Sequence, residues 1–117
     1  MNKQCENEEH FEKALEPLKR YLPSAVELNL LEVFFKAIAD PTRLKILTLI
    51  SKERLCVCDI AVIIDMSQSA VSHQLRVLKQ ANLIVKEKVG KQVFYQLSDH
   101  HVTRIIEQSI EHINEKI

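Results

Sequence analysis

Read for polarity, the chain is a succession of amphipathic helical blocks broken once by an alternating, strand-like stretch. Residues 1–9 are polar and read as a loose arm. His10 to Tyr21 is helix-capable and ends before Pro23. Ser24 begins a second helix, with Glu27 three residues later completing a capping box. Its apolar positions Leu28, Leu31, Val33, Phe34, Phe35 and Ile38 run almost all round, as in a helix buried in a core or a dimer interface. Asp40 caps the next helix, and Pro41 occupies its first position. Leu44, Ile46, Leu47, Leu49 and Ile50 supply its packing face.

Cys58 to Ile64 reads as a short helix, and Ser67 caps another from Gln68 to about Gln80. The polar turn Asp65–Met66–Ser67 between them makes a helix-turn-helix unit. Ile84–Val89 and Gln92–Leu97 then flank Gly90–Lys91, a β-hairpin signal built around the single glycine of the chain. Ser98 is placed as the cap of a last helix running to the C-terminus. The expected fold is mainly α with a small β-hairpin, a winged helix-turn-helix that dimerises through its N- and C-terminal helices. Three regions follow: an N-terminal arm and helix (1–23), the winged helix-turn-helix (24–98), and a C-terminal helix (99–117).

Composition narrows the setting. The 117 residues are 46% hydrophobic and 27% charged, an ordinary globular balance. No apolar run approaches the roughly 20 residues that span a bilayer, and MNKQCENEEHFEK lacks the apolar core of a secretory signal. The expected location is the cytoplasm, away from membranes, where three cysteines serve as ligands or core thiols rather than disulfide partners. The formal net charge of +0 hides an uneven distribution: residues 1–40 carry −3, 41–91 carry +5 and 92–117 carry −2. A basic middle between acidic ends suits a face built for phosphate.

The helix after Ser67 divides cleanly. Val71, Leu75 and Leu78 fall on one side and face the core, while Ser69, Ser72, His73, Arg76 and Gln80 fall on the other. A short, donor-rich face of this kind fits a major groove, and Gln68, Ser69, Ser72, His73 and Arg76 are its candidate contacts to double-stranded DNA. Lys86, Lys88 and Lys91 on the hairpin are placed to reach phosphates.

The last helix carries an apolar stripe, Val102, Ile105, Ile106, Ile110, Ile113 and Ile117, that calls for a partner. Beside it lie Asp99-x-His101 and His112-x-x-Glu115. His101 and His112 share a face but stand about 16 Å apart along the axis, whereas zinc–ligand bonds are about 2 Å long. One helix therefore cannot close a site with both pairs. An antiparallel second copy solves this: Asp99 and His101 of one protomer meet His112 and Glu115 of the other, giving two identical sites per homodimer. Two imidazoles and two carboxylates suit tetrahedral Zn²⁺. Four protein ligands leave no open position, and no activated nucleophile accompanies them, which argues against a small zinc enzyme. His100 lies off this face and is expected in solvent.

Cys56-Val57-Cys58-Asp59 opens the first helix of the helix-turn-helix. Two thiolates at i and i+2 near a helix N-terminus, with Asp59 and an arm residue such as Cys5, His10 or Glu9, would form a second, softer site. Its thiolate richness would favour Cd²⁺, Pb²⁺ or Zn²⁺, or arsenite with three sulfurs. Equally, Cys56 can pack as a small hydrophobe with Cys5 idle.

At these residues the sequence resembles the ArsR/SmtB family of metal-responsive repressors. Leu55-Cys56-Val57-Cys58-Asp59 looks like its LCVCD motif, Ser67-Gln68-Ser69-Ala70-Val71-Ser72-His73-Gln74-Leu75 resembles its recognition helix, and Ala39-Asp40-Pro41-Thr42-Arg43 is similar to the entry into its preceding helix. Asp99-x-His101 with His112-x-x-Glu115 matches the intersubunit zinc site of the zinc-sensing branch. The resemblance implies a dimer that represses metal efflux or sequestration genes from a near-palindromic operator and leaves the DNA when Zn²⁺ binds, with Cd²⁺ or Pb²⁺ as related effectors. It also implies a cysteine-based alternative, a cadmium, lead or arsenite sensor using Cys5, Cys56 and Cys58. Here the chain departs from the pattern: the cadmium/lead branch has two arm cysteines and this chain has Cys5 alone.

Overall fold

The computed structural model describes residues 13–116. Cys5, Glu9, His10 and Ile117 lie outside the described residues. In chain order a 3-10 helix (Glu16–Tyr21) is followed by α1 (Ala25–Ile38), α2 (Pro41–Lys52), α3 (Val57–Ile64) and α4 (Gln68–Gln80). Then come β1 (Ile84–Val89), β2 (Gln92–Leu97) and α5 (His101–Lys116). The chain divides into two compact units at Glu32 and Val33, within α1.

In the first unit, the helical block expected up to Tyr21 is α-helical at residues 13–15 and 3-10 from Glu16. Pro17 explains the change, because it lacks an N–H and its ring clashes with the carbonyl four residues back. The capping box at the start of α1 forms in both directions. The Ser24 N–H donates to Glu27 Oε1 at 3.0 Å, and the Glu27 N–H donates to Ser24 Oγ at 3.1 Å.

The second unit holds the core. Ile46, Leu47 and Ile50 of α2, Ile60 and Ala61 of α3, and Val71, Leu75 and Leu78 of α4 are buried together with Leu83, Ile84 and Val102. Asp40 caps α2 by accepting from the Arg43 N–H at 3.0 Å, and Ser67 caps α4 by accepting from the Ala70 N–H at 3.1 Å. Both helices of the helix-turn-helix end without glycine. Asp65 (φ 57°) and Asn82 (φ 61°) take the left-handed conformation instead. Met66 N–H then bonds the Ala61 carbonyl, and Leu83 N–H the Leu78 carbonyl, the six-to-one bond of a Schellman ending. Short polar side chains tolerate this backbone best after glycine, so a chain with one glycine can still turn sharply twice.

That glycine sits where no other residue is easily placed. Ile84 pairs with Leu97 and Val89 with Gln92, leaving Gly90–Lys91 as a two-residue turn. Gly90 has φ +63° while Lys91 does not enter the left-handed region, the pattern of a type II′ turn. Leu55 clasps the hairpin from outside, donating to the Tyr95 carbonyl at 3.2 Å and accepting from its N–H at 2.8 Å.

The last helix corrects one expectation. Ser98 does not cap α5. Its hydroxyl donates towards the carbonyls of Asn82 and Leu83, both at 3.1 Å, and Asp99 takes the turn before the helix by accepting from the His101 N–H at 2.9 Å. α5 packs on α2. Val102 is buried, but Ile110 and Ile113 remain half-exposed.

Candidate DNA-reading face and metal half-site

α4 turns the predicted polar face outward. Gln68, Ser69, His73 and Arg76 are exposed and Ser72 is half-buried, while Val71, Leu75 and Leu78 anchor the other side. The geometry follows from the cap: Ser67 fixes where the helix starts, and the apolar triplet fixes which way it faces. Gln68 also donates from its amide to Cys58 Sγ at 3.4 Å, tying the first residue of α4 to α3.

The hairpin supplies a basic edge. Lys86, Lys88 and Lys91 are exposed. Glu87 is the single acid between Ile84 and Leu97, and it is ion-paired with Arg54. The Arg54 guanidinium also stacks 4.9 Å from the Phe94 ring centroid, and Phe94 is the strand partner of Glu87. Arg54 thus braces the wing and offsets its one negative charge, leaving three lysines unopposed along it. The sequence carried the lysines plainly. It did not carry Arg54, because a contact across 33 positions leaves no periodic trace.

At the head of α5, Asp99 and His101 are brought together. His101 Nδ1 lies 3.1 Å from Asp99 Oδ1, with both side chains open to solvent. Two ligands of a tetrahedral ion with 2.0–2.1 Å bonds are themselves about 3.3 Å apart, so these two atoms already stand close to the separation one zinc ion requires. His112 and Glu115 lie on the exposed far end of the same helix. Among the described residues of one chain, no three His, Cys, Asp or Glu side chains gather into a metal-sized cluster. α5 rests on α2, and His112 borders a shallow hollow with Ile105, Gln108, Ser109 and Ile113. His100, expected in solvent, is exposed.

Cys56 and Cys58 are free thiols. Cys56 is half-buried at the N-cap of α3, and Cys58 and Asp59 are exposed in its first turn. An open groove of about 660 Å³ runs beside α5, lined by Ile38, Leu44, Leu49, Ile63, Ile106 and Ile113 among others. No helix among the described residues is long and apolar enough to cross a membrane.

Comparison with known proteins agrees with this layout. Residues 40–86, from the α2 cap to the first half of the wing, match the model of the bacterial regulatory protein, arsR family. A transcriptional repressor SmtB homolog of Synechocystis is 38% identical over 104 residues, covering 86% of this chain and 79% of that protein. A cadmium resistance transcriptional regulatory protein CadC homolog of Staphylococcus aureus is 45% identical over 82 residues, covering 69% and 68%. Among solved structures, the homodimeric winged helix-turn-helix DNA-binding domain Mb0332 of Mycobacterium bovis superposes with a TM-score of 0.74 at 26% identity, covering 79% of this chain and 85% of that one.

Proposed function

The chain belongs to the ArsR family of bacterial regulatory proteins, DNA-binding winged-helix regulators rather than enzymes, and from that premise we propose that it is a metal-sensing transcriptional repressor. As a metal-free homodimer it holds a near-palindromic operator in the cytoplasm, with one α4 in each of two successive major grooves. Gln68, Ser69, Ser72, His73 and Arg76 meet the bases and nearby phosphates, and Lys86, Lys88 and Lys91 meet the flanking phosphates. Zn²⁺ is the effector. Asp99 and His101 of one protomer and His112 and Glu115 of the partner subunit would hold it, and its binding releases the operator and derepresses metal efflux or resistance genes.

One observation carries the metal assignment: the Asp99–His101 pair, 3.1 Å apart at the start of a helix whose Ile110 and Ile113 remain half-exposed. A half-site that cannot be completed within its own chain, next to an uncovered self-association surface, calls for a second copy. The coupling runs through a short route. Ser98, one residue before Asp99, is hydrogen-bonded to Asn82 and Leu83, the backbone just after α4.

A second reading rests on Cys56 and Cys58, free sulfurs two residues apart at the N-terminus of α3, which suit soft ions such as Cd²⁺ or Pb²⁺, or arsenite with Cys5 as third sulfur. One titration separates the two. Zn²⁺, Cd²⁺ and Pb²⁺ are added to the complex with a duplex that the protein selects from a random-sequence library, and release is followed by fluorescence anisotropy. The C-terminal reading expects zinc-driven release that survives replacement of all three cysteines by Ser and disappears in His101→Ala. Release that follows the cysteines instead would establish the second reading.

A further inference from the structure

The last carbonyls of α1 point toward positions 40 and 41, where the regular helical ladder stops. The Ala37 carbonyl would bond the N–H of residue 41, but residue 41 is proline and has none. The Lys36 carbonyl would bond the Asp40 N–H, but that N–H turns to Ile38 at 2.7 Å. Arg43 fills both gaps. Its Nε donates to the Ala37 carbonyl at 2.6 Å and its Nη2 to the Lys36 carbonyl at 3.2 Å. The remaining arm of the guanidinium, Nη1, donates to Gln74 Oε1 on α4 at 3.0 Å.

We propose that Arg43 and Gln74 form a positioning link that sets the rotation of α4 about its own axis, and that Gln74 acts on DNA affinity through this link rather than by touching a base. The proposal rests on α4 being the DNA-reading helix. Gln74 is half-buried and lies roughly 140° round the helix from the centre of the Ser69–His73–Arg76 face, so it points away from a groove that those residues enter. Val71, Leu75 and Leu78 hold α4 in the core, but apolar burial is non-directional and permits a helix to roll. A planar guanidinium with fixed donor directions does not permit it. The sensitivity is high. With side-chain tips about 5–6 Å from the axis, a roll of about 15° moves them about 1.5 Å, enough to break hydrogen bonds that need about 2.7–3.2 Å. The anchor is rigid too, because Arg43 sits in the first turn of α2 with its own N–H held by Asp40.

The test uses the full-length protein and a duplex that the wild type recovers from a random-sequence library. Gln74→Ala removes the acceptor but leaves Arg43 on the α1 carbonyls, so the fold is kept. Gln74→Glu keeps an acceptor oxygen and strengthens the pair. We expect Gln74→Ala to weaken binding about tenfold, the worth of about one hydrogen bond to a charged group, with the loss spread evenly over single-base-pair variants of the duplex. The slope of log affinity against log salt should change less than in Arg76→Ala, since every cationic side chain of α4 is kept. Gln74→Glu should stay within about threefold of the wild type, which a base-reading glutamine would not allow. Arg76→Ala, measured alongside, should lower the salt slope if α4 lies on the DNA. Wild-type affinity in Gln74→Ala, equal losses in Ala and Glu, or a loss confined to one base pair would each overturn the link while leaving the DNA-reading helix in place. Failure of the wild type to recover any duplex would overturn both.

Discussion

If each metal site is split between protomers, two crippled proteins should repair one another. Take one variant with Asp99→Ala and His101→Ala, and another with His112→Ala and Glu115→Ala. Each homodimer lacks half of both sites. In the mixed dimer, one site receives its Asp99 and His101 from the second variant and its His112 and Glu115 from the first, and is whole. The other site has no ligands at all. Equal mixing after subunit exchange yields about half mixed dimers, so tight zinc should fall from about two per dimer in the wild type to about one half in the mixture. Purified mixed dimer, carrying two different affinity tags, should bind about one. The effect on DNA follows from the coupling. If two sites together weaken operator binding about 100-fold, or about 2.7 kcal/mol, one site should supply about half that energy and a weakening of about tenfold. Competition with a chromophoric chelator measures the zinc, and anisotropy measures the DNA. Tight zinc in either homodimer would place the site elsewhere, on the cysteines first. A mixed dimer as inert as its parents would show that the four residues do not form a shared site.

Three further outcomes test the rest of the site. Ser67→Ala removes the cap of the recognition helix and should destabilise the protein by about 1 kcal/mol, read as a lower urea midpoint with unchanged slope. Replacing Lys86, Lys88 and Lys91 with Ala should lower the salt slope of DNA binding by about 0.9 for each lysine that sits on a phosphate; an unchanged slope would take the wing off the DNA. Ser98→Ala should leave zinc affinity intact, yet reduce the zinc-driven loss of DNA affinity by about threefold or more, the worth of about one hydrogen bond.

The parts of this structure that were legible in the sequence are those whose causes are local. Ser24, Asp40 and Ser67 announce helix starts because a cap and its N–H lie three residues apart, and the structure makes all three bonds. The wing was legible because strand alternation resumes on each side of one glycine. Ser98 misled for the same reason: a serine before a helix looks like a cap, but here its hydroxyl prefers two carbonyls about fifteen residues earlier. Asp65 and Asn82 gave no turn signal as strong as glycine, so the sharp endings of α3 and α4 were invisible as conformations. The Arg43–Gln74 and Arg54–Glu87 bonds span 31 and 33 positions and belong to the folded state alone. Of the proposed zinc ligands, Asp99 and His101 meet because one turn joins them, while His112 and Glu115 wait at the other end of a 16-residue helix.

The energies constrain how such a sensor can work. Coupling between a metal and an operator is commonly about 1–3 kcal/mol. Disturbing the core under α4 is far more expensive: Leu47, Leu75 and Leu78 are almost fully buried, and losing the packing of one such leucine costs about 2–5 kcal/mol. A metal that acted by repacking that core would spend more than its coupling supplies. Hydrogen bonds at the rim are on the right scale, at about 0.5–1.5 kcal/mol each. Two groups of them tie α4 to elements outside the helix-turn-helix. Ser98 ties the backbone beside Asp99 to the residues that follow α4, and Arg43 ties Gln74 to the end of α1. On the proposed reading, closing a site around Asp99 pulls on the first group while the core stays rigid. The helix then moves as a body, tilting or rolling by the small amount that its contacts with DNA cannot tolerate.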